Sequence, residues 1–167
     1  MSRTVLIVDD DPMVAMINEQ YVLKSEGFTI SGSCRNGQQA IEFLQKQKVD
    51  LILLDVYMPV MDGVETLKKI RELRIDSEVI MITAANDTQT IEHTMHLGVL
   101  DYLIKPFAYE RFNISLEKFK SKISVLKGAQ VLDQNSLDSF ISHSTAQQKG
   151  QLINLPKGIV EIGSQVF

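Results

Sequence analysis

Four short apolar runs in this chain each stop on a reactive polar side chain: VLIV on Asp9 and Asp10, LILL on Asp55, VIMI on Thr83, and YLI on Lys105, which Pro106 follows. Runs of this length, rich in Val, Ile and Leu and separated by longer segments of helical period, are the pattern of parallel strands buried on both faces. In open sheets of that kind ligands bind beyond the carboxyl ends of the strands, where the connections diverge. Three carboxylates, a hydroxyl and an amine are thus delivered to the side of the sheet where chemistry takes place.

Strand and helix alternate from residue 4 to about residue 127. After the first strand, Asp11 is placed as an N-cap and Pro12 as a first helical residue, with Met13, Ile17 and Val22 beginning an apolar stripe and Gly27 ending the helix. Strands follow over 29–34, 50–55, 78–83 and 101–104, with helices over 38–47, from Val64 to Leu73, over 87–97 closed by Gly98, and from near Tyr109. Five such units predict an α/β fold: a doubly wound five-stranded parallel sheet with helices on both faces, since parallel crossovers need a helix. Of the common open-sheet orders, 2-1-3-4-5 suits five strands and puts the switch point between strands 1 and 3. That crevice would collect Asp9, Asp10 and Asp55, and strands 4 and 5 would bring Thr83 and Lys105 to its rim.

Composition removes several function classes. The chain of 167 residues is 44% hydrophobic and 23% charged, as expected of a globular domain with an appendage. A net charge of -4 gives no electrostatic footprint for nucleic acid. The opening MSRTVLIVDDD has too short an apolar run for a signal peptide, and no stretch reaches the ~18 apolar residues of a membrane span, so a cytoplasmic chain with no membrane contact is expected. Cys34 is the only cysteine and reads as a small buried residue. His93 and His96 are spaced to share a metal, but with no third ligand evident they read as a solvated helix face.

Three close carboxylates cannot all stay ionised unaided: at ~4 Å and an effective dielectric of ~20, each pair repels by ~4 kcal/mol. Either some protonate or a cation binds. Oxygen ligands on strand ends suit a hard ion, and Mg²⁺ takes one or two carboxylates together with a phosphate oxygen. Lys105 adds an amine and Thr83 a hydroxyl donor, so the pocket is suited to a phosphoryl group. Carboxylates also serve as nucleophiles that form acyl phosphates, a reaction governed by alignment and charge neutralisation.

VLIVDDD, LILLDVYMPVMDG, MITAA and DYLIKPF together resemble the receiver domain of bacterial two-component response regulators, whose fold is flavodoxin-like and CheY-like, over residues 1 to about 122. The resemblance implies that Asp55 accepts a phosphoryl group from a sensor histidine kinase. It implies Mg²⁺ held by Asp10, Asp55 and the Tyr57 carbonyl, with Asp9 acting mainly through a metal-bound water and Lys105 pairing with the phosphate. Thr83 would swing inward to the phosphate and Tyr102 would rotate into the space opened, making the chemistry a switch. A cis bond before Pro106 is also implied, against a base rate of ~5%. External substrate turnover is not expected. The Tyr57 ring, two residues past the acceptor, would shield an acyl phosphate from water.

Each of these residues has a plainer reading. Aspartates ahead of a helix are often only caps, and Asp11 is read so. An isolated lysine is usually a solvated surface group, and Lys105 gains meaning from its place between a buried strand and Pro106. Tyr102 could be core alone.

Phe112, Leu116, Phe119, Ile123 and Leu126 form a short heptad-like seam, its first half covering the sheet and its second half available to a partner subunit, so a homodimer on activation is expected. Residues 1–125 are assigned to the receiver, and 126–153, rich in Gln, Ser and Asp with an amphipathic island at Leu137, Phe140 and Ile141, to a linker with a short helix. Residues 154–167, with Leu155, Pro156, Lys157 and Gly158, resemble the start of the helix-turn-helix output domain in regulators of citrate and C4-dicarboxylate metabolism, the CitB/DcuR type. Tyr21, the AYERF segment and Asp101-Tyr102 support the same subfamily. The expectation is a receiver fragment of a transcription regulator, binding DNA only through an output domain that is missing here. Two rivals remain: a haloacid-dehalogenase-type phosphohydrolase using Asp9 in a D-x-D motif, which leaves Asp55 idle, and an unphosphorylated interaction module on the same fold.

Overall fold

The computed structural model describes residues 2–128. The expectations for residues 129–153 of the linker and for the output-domain start therefore lie outside the described residues, whereas residues 126–128 continue the last helix. The described residues up to Phe119 form one compact unit.

In chain order the elements are β1 (Arg3–Val8), α1 (Pro12–Lys24), β2 (Phe28–Cys34), α2 (Gly37–Lys46), β3 (Leu51–Asp55), α3 (Gly63–Glu72), β4 (Glu78–Ala84), α4 (Thr88–Thr94), a 3₁₀ turn (Met95–Leu97), β5 (Asp101–Lys105) and α5 (Tyr109–Gly128). The strands form one parallel sheet in the order β2-β1-β3-β4-β5, as the sequence predicts. β3 lies at its centre with all five residues buried, which is why LILLD shows no polar alternation. One core gathers Leu6, Val8, Ile52, Leu54, Leu67 and Ile70.

Local chemistry sets the helix starts. Asp11 caps α1, accepting the Met13 N–H at 2.9 Å, ahead of Pro12 at the first helical position. Asp62 and Glu65 form a reciprocal capping box on α3, with bonds of 2.9 and 3.0 Å. Arg71 reaches across from α3 to the carbonyls of Ser77, Leu97 and Gly98 at 3.1, 2.7 and 3.3 Å, tying the loop before β4 to the end of the 3₁₀ turn. Gly98 ends that turn at φ 75°, a left-handed conformation.

α1 departs from the expected stripe. Met13 and Ile17 are 65% and 45% exposed, and the buried face is instead Ala15, Asn18 and Val22. Met16 and Leu23 also point outward, so apolar residues lie on several sides of this helix and their period does not determine which side packs. Gly27 does not end the helix either: α1 stops at Lys24, with the Ser25 N–H bonded to the Val22 carbonyl, and Gly27 (φ 91°) turns the chain into β2. The helix expected over 87–97 is a shorter α-helix whose last turn tightens into the 3₁₀ form. In α5, Phe112, Leu116 and Phe119 are buried as the seam requires.

The carboxyl end of β5 is followed by a cis Lys105–Pro106 bond. Its opposite end carries Asp101, 1% exposed, whose carboxylate is held by Arg111 at 2.9 and 3.1 Å, Lys118 at 3.2 Å and the Ser115 hydroxyl at 2.5 Å. This joins the start of β5 to α5, and hydrogen-bonded pairing of a buried acid with two cations leaves it compensated.

Gly63 matters for the site because a side chain there would collide with the Asp55 carbonyl oxygen and the Val56 Cα. The Gly63 N–H instead bonds to the Val56 carbonyl at 2.7 Å, pulling the loop after β3 tightly back on itself. Gly63→Ala is expected to lower the unfolding free energy by about 1–3 kcal/mol, the range for overpacking a close contact, as read by urea denaturation.

Candidate functional site

The sheet register explains how residues distant in sequence meet. Val8 pairs with Leu54, so Asp9 leaves β1 beside Asp55 at the end of β3. Asp55 pairs with Ile82, and Ala84 with Lys105, which carries Thr83 and Lys105 to the same edge. Carboxylate oxygens of Asp9, Asp10 and Asp55 all lie within 4.8 Å of one another. Asp9 and Asp55 are 1% and 3% exposed, whereas Asp10 is exposed.

One amine serves both buried acids. Lys105 Nζ lies 2.8 Å from Asp55 Oδ1 and 3.6 Å from Asp9 Oδ2. The Asp11 N–H donates to Asp9 Oδ1 at 2.9 Å, but Asp9 Oδ2 has no hydrogen-bond partner despite being buried. Burial pushes Asp55 up to about 6; the negative charge of Asp9 adds to this, and Lys105 opposes it without cancelling it. Asp9 is also raised, by burial first, against the Asp11 N–H and Lys105. For Lys105 burial alone would lower the ammonium, but hydrogen bonding and attraction from Asp55 and Asp9 outweigh it and hold the group above its usual range.

This is an anionic group with too little positive charge. Oxygen donors at this spacing, one of them buried without a hydrogen-bond donor, fit a small hard cation such as Mg²⁺.

The remaining expected residues are found in different environments. Thr83 is 1% exposed, and its hydroxyl donates to Asp87 Oδ2 at 3.0 Å. Tyr57 is 61% exposed, and its hydroxyl donates to the same oxygen at 2.6 Å. Tyr102 packs against the core cluster, and its hydroxyl shares a 2.7 Å hydrogen bond with Thr94 Oγ1. His93 and His96 are both exposed.

Sequence reasoning missed Asp87. Its only visible signal is that of a cap, an aspartate three residues ahead of Thr90 at a helix start, and Asp87 Oδ1 does accept the Thr90 N–H at 3.2 Å. That its other oxygen gathers Thr83 and Tyr57 depends on folding alone.

Comparison with known proteins gives this arrangement a class. Residues 5–117 match the response regulator receiver domain family. The chain is 41% identical over 155 residues to the probable C4-dicarboxylate response regulator DctR of Halalkalibacterium halodurans, covering 93% of this chain and 66% of the relative. It is 40% identical over 157 residues to the transcriptional regulatory protein DcuR of Escherichia coli, covering 93% and 65%. It thus spans about two thirds of the length of such relatives. Among solved structures, the signal receiver domain of a putative Luxo repressor protein from Vibrio parahaemolyticus has a TM-score of 0.70 at 28% identity, over 78% of this chain and 98% of that one. A CheY-like receiver domain protein from Methanospirillum hungatei scores 0.64 at 26% identity, over 74% and 95%.

The chain belongs to the response regulator receiver domain family. Its relatives of the DctR, DcuR and MalR type put it with the CitB-type regulators of two-component systems, which are signalling proteins and not substrate-turnover enzymes. This favours the receiver over the phosphohydrolase, which would make no use of Asp55. No helix among the described residues is long and apolar enough to cross a membrane.

A folded-state value of about 6 for Asp55, against 3.8 in the unfolded chain, means that the folded form holds this proton more tightly. The unfavourable contribution of the ionised group is therefore absent below pH 3.8 and complete once pH passes about 6. Asp55→Asn is expected to raise the unfolding free energy by about 1–3 kcal/mol near pH ~8 in Mg²⁺-free buffer, part of the full linkage being lost with the Lys105 pair, and to give no gain near pH ~4. Urea titrations at the two pH values check this.

Proposed function

We propose that this chain is a phosphorylated receiver: Asp55 accepts a phosphoryl group from a sensor histidine kinase in a Mg²⁺-dependent reaction. The observation that carries the reading is the 2.8 Å pair between Lys105 Nζ and a buried Asp55, inside a carboxylate group that one lysine does not neutralise.

In this reading an Asp55 oxygen attacks phosphorus, an acyl phosphate bond forms, and the bond to the donor imidazole breaks with its electron pair left on nitrogen. Lys105, already against Asp55, turns to an oxygen of the transferred group and offsets its charge. Asp10 and Asp55, with the Tyr57 carbonyl, would hold Mg²⁺, and Asp9 would act through water. When bound, the ion would neutralise charge on the acceptor and on the phosphoryl oxygens. Thr83 would supply the hydroxyl that binds the phosphoryl group, and Tyr102 would follow it inward.

The likeness to a C4-dicarboxylate response regulator and a transcriptional regulatory protein supports a role in transcription control, with phosphorylated receivers pairing and DNA reached through an output domain. Residues 1–125 form the phosphoacceptor domain in this proposal.

Incubation with Mg²⁺ and a small phosphodonor such as acetyl phosphate, followed by intact mass and peptide mapping, is expected to show one phosphoryl group on Asp55. Asp55→Asn is expected to lose it. Steady turnover dependent on Asp9, or no modification at all, would overturn the proposal.

Tyr57 lies two residues past Asp55 and is 61% exposed, and in this reading its ring obstructs water approaching an acyl phosphate on Asp55. Tyr57→Ala is expected to shorten the lifetime of the phosphorylated form about tenfold, a difference in barrier of ~1.4 kcal/mol. An unchanged half-life in a dephosphorylation time course removes this role.

A further inference from the structure

Asp87 does far more than a helix cap requires. Capping needs one carboxylate oxygen on an N–H in the first turn, and Oδ1 meets that need through Thr90 N at 3.2 Å. The other oxygen, Oδ2, accepts three hydroxyls: Tyr57 at 2.6 Å from the loop after β3, Thr90 at 2.7 Å from α4, and Thr83 at 3.0 Å from β4.

The proton count has a direct consequence. A threonine hydroxyl carries a single proton, so a Thr83 that donates to Asp87 cannot donate to anything else. Thr83 is 1% exposed, so water is no ready substitute partner. Any phosphoryl oxygen that recruits this hydroxyl has to take its proton from a carboxylate, a stronger acceptor than a neutral group. The carboxylate itself is not stranded by that loss, because Tyr57, Thr90 Oγ1 and the Thr90 N–H still bond to it. The exchange therefore involves one hydrogen bond and leaves both Asp87 oxygens with donors.

We propose that Asp87 is a positioning residue for phosphoryl acceptance: its carboxylate holds the Thr83 hydroxyl in the resting arrangement and competes with the phosphoryl group for the Thr83 proton. This rests on the reading of Asp55 as acceptor and Thr83 as the hydroxyl that binds the phosphoryl group. The Tyr57 and Thr90 bonds keep Asp87 in place across the change. The resting population, and with it the concentration of phosphodonor or mimic needed to drive the switch, is set in part by this competition.

Titration of the full chain with beryllofluoride in saturating Mg²⁺, followed through the Thr83 methyl signal or, in Thr83 variants, backbone amides by NMR, reads the competition directly. Asp87→Ala is expected to lower the half-saturating concentration about tenfold. Asp87→Asn, which keeps an equally good cap and a neutral acceptor, is expected to shift it in the same direction by a smaller factor. In a Thr83→Ala background, Asp87→Ala is expected to have no further effect, because the competition has lost its object; a general loosening of α4 would act there as well. If Asp87→Ala does not fold, the Asn variant with and without Thr83→Ala carries the same test. Wild-type midpoints in both Asp87 variants, or a shift that survives Thr83→Ala, would overturn the proposal while normal binding by the wild type left the acceptor reading intact. Failure of the wild type to bind beryllofluoride or to be phosphorylated on Asp55 would instead overturn that reading, and this proposal with it.

Discussion

The structure depends on a shortage of positive charge. Two buried aspartates, Asp9 and Asp55, and an exposed third, Asp10, meet where β1 and β3 end, and one amine, Lys105, reaches the buried pair. Withdrawn from water, a carboxylate needs hydrogen-bond donors or an opposite charge, and here neither is supplied in full. Asp9 Oδ2 is left without a donor, and Asp55 is pushed up to about 6. A site with this deficit favours a guest that brings cationic charge.

The other end of the sheet provides the contrast. Asp101 is as buried as Asp9, yet it is held below its usual range: burial would raise it, but hydrogen bonds from Arg111 and Ser115 and the charges of Arg111 and Lys118 overcome that cost. The same residue type in similar burial therefore has two roles. Where every oxygen is paired, the acid fastens α5 to β5 and is held low; where pairing is incomplete, burial pushes the acid up. Asp87 follows a third pattern, a partly exposed acid with three hydroxyls converging on one oxygen.

Legibility in the sequence followed the strength of the local signal. β1, β3 and β4 were readable because strands buried on both faces have no polar interruptions, and LILLD, wholly buried, is the extreme case. Asp11 before Pro12 marked the start of α1 through capping chemistry that acts within four residues, whereas the Asp62–Glu65 capping box of α3 emerged only from the structure. α1 was readable as a helix but not in its orientation, since Met13, Met16, Ile17 and Leu23 face outward while Asn18 turns into the core. Asp87 looked like one more cap, because the hydroxyls that converge on it come from positions 57, 83 and 90.

By itself, then, the sequence determined the elements, their order and the chemical type of the residues at each strand end, because apolar period, capping and turn geometry are local properties of the chain. The strand order, and so the meeting of Asp9, Asp10, Asp55 and Lys105, followed from the count of strands and the rules of open sheets, while the distances and pairings within that meeting were set by folding. Partnership was likewise a tertiary outcome. Which acid found two cations, which shared a single lysine and which collected hydroxyls was decided by packing, since a side chain's charge state and bonds depend on what folding brings within about 3 Å of it.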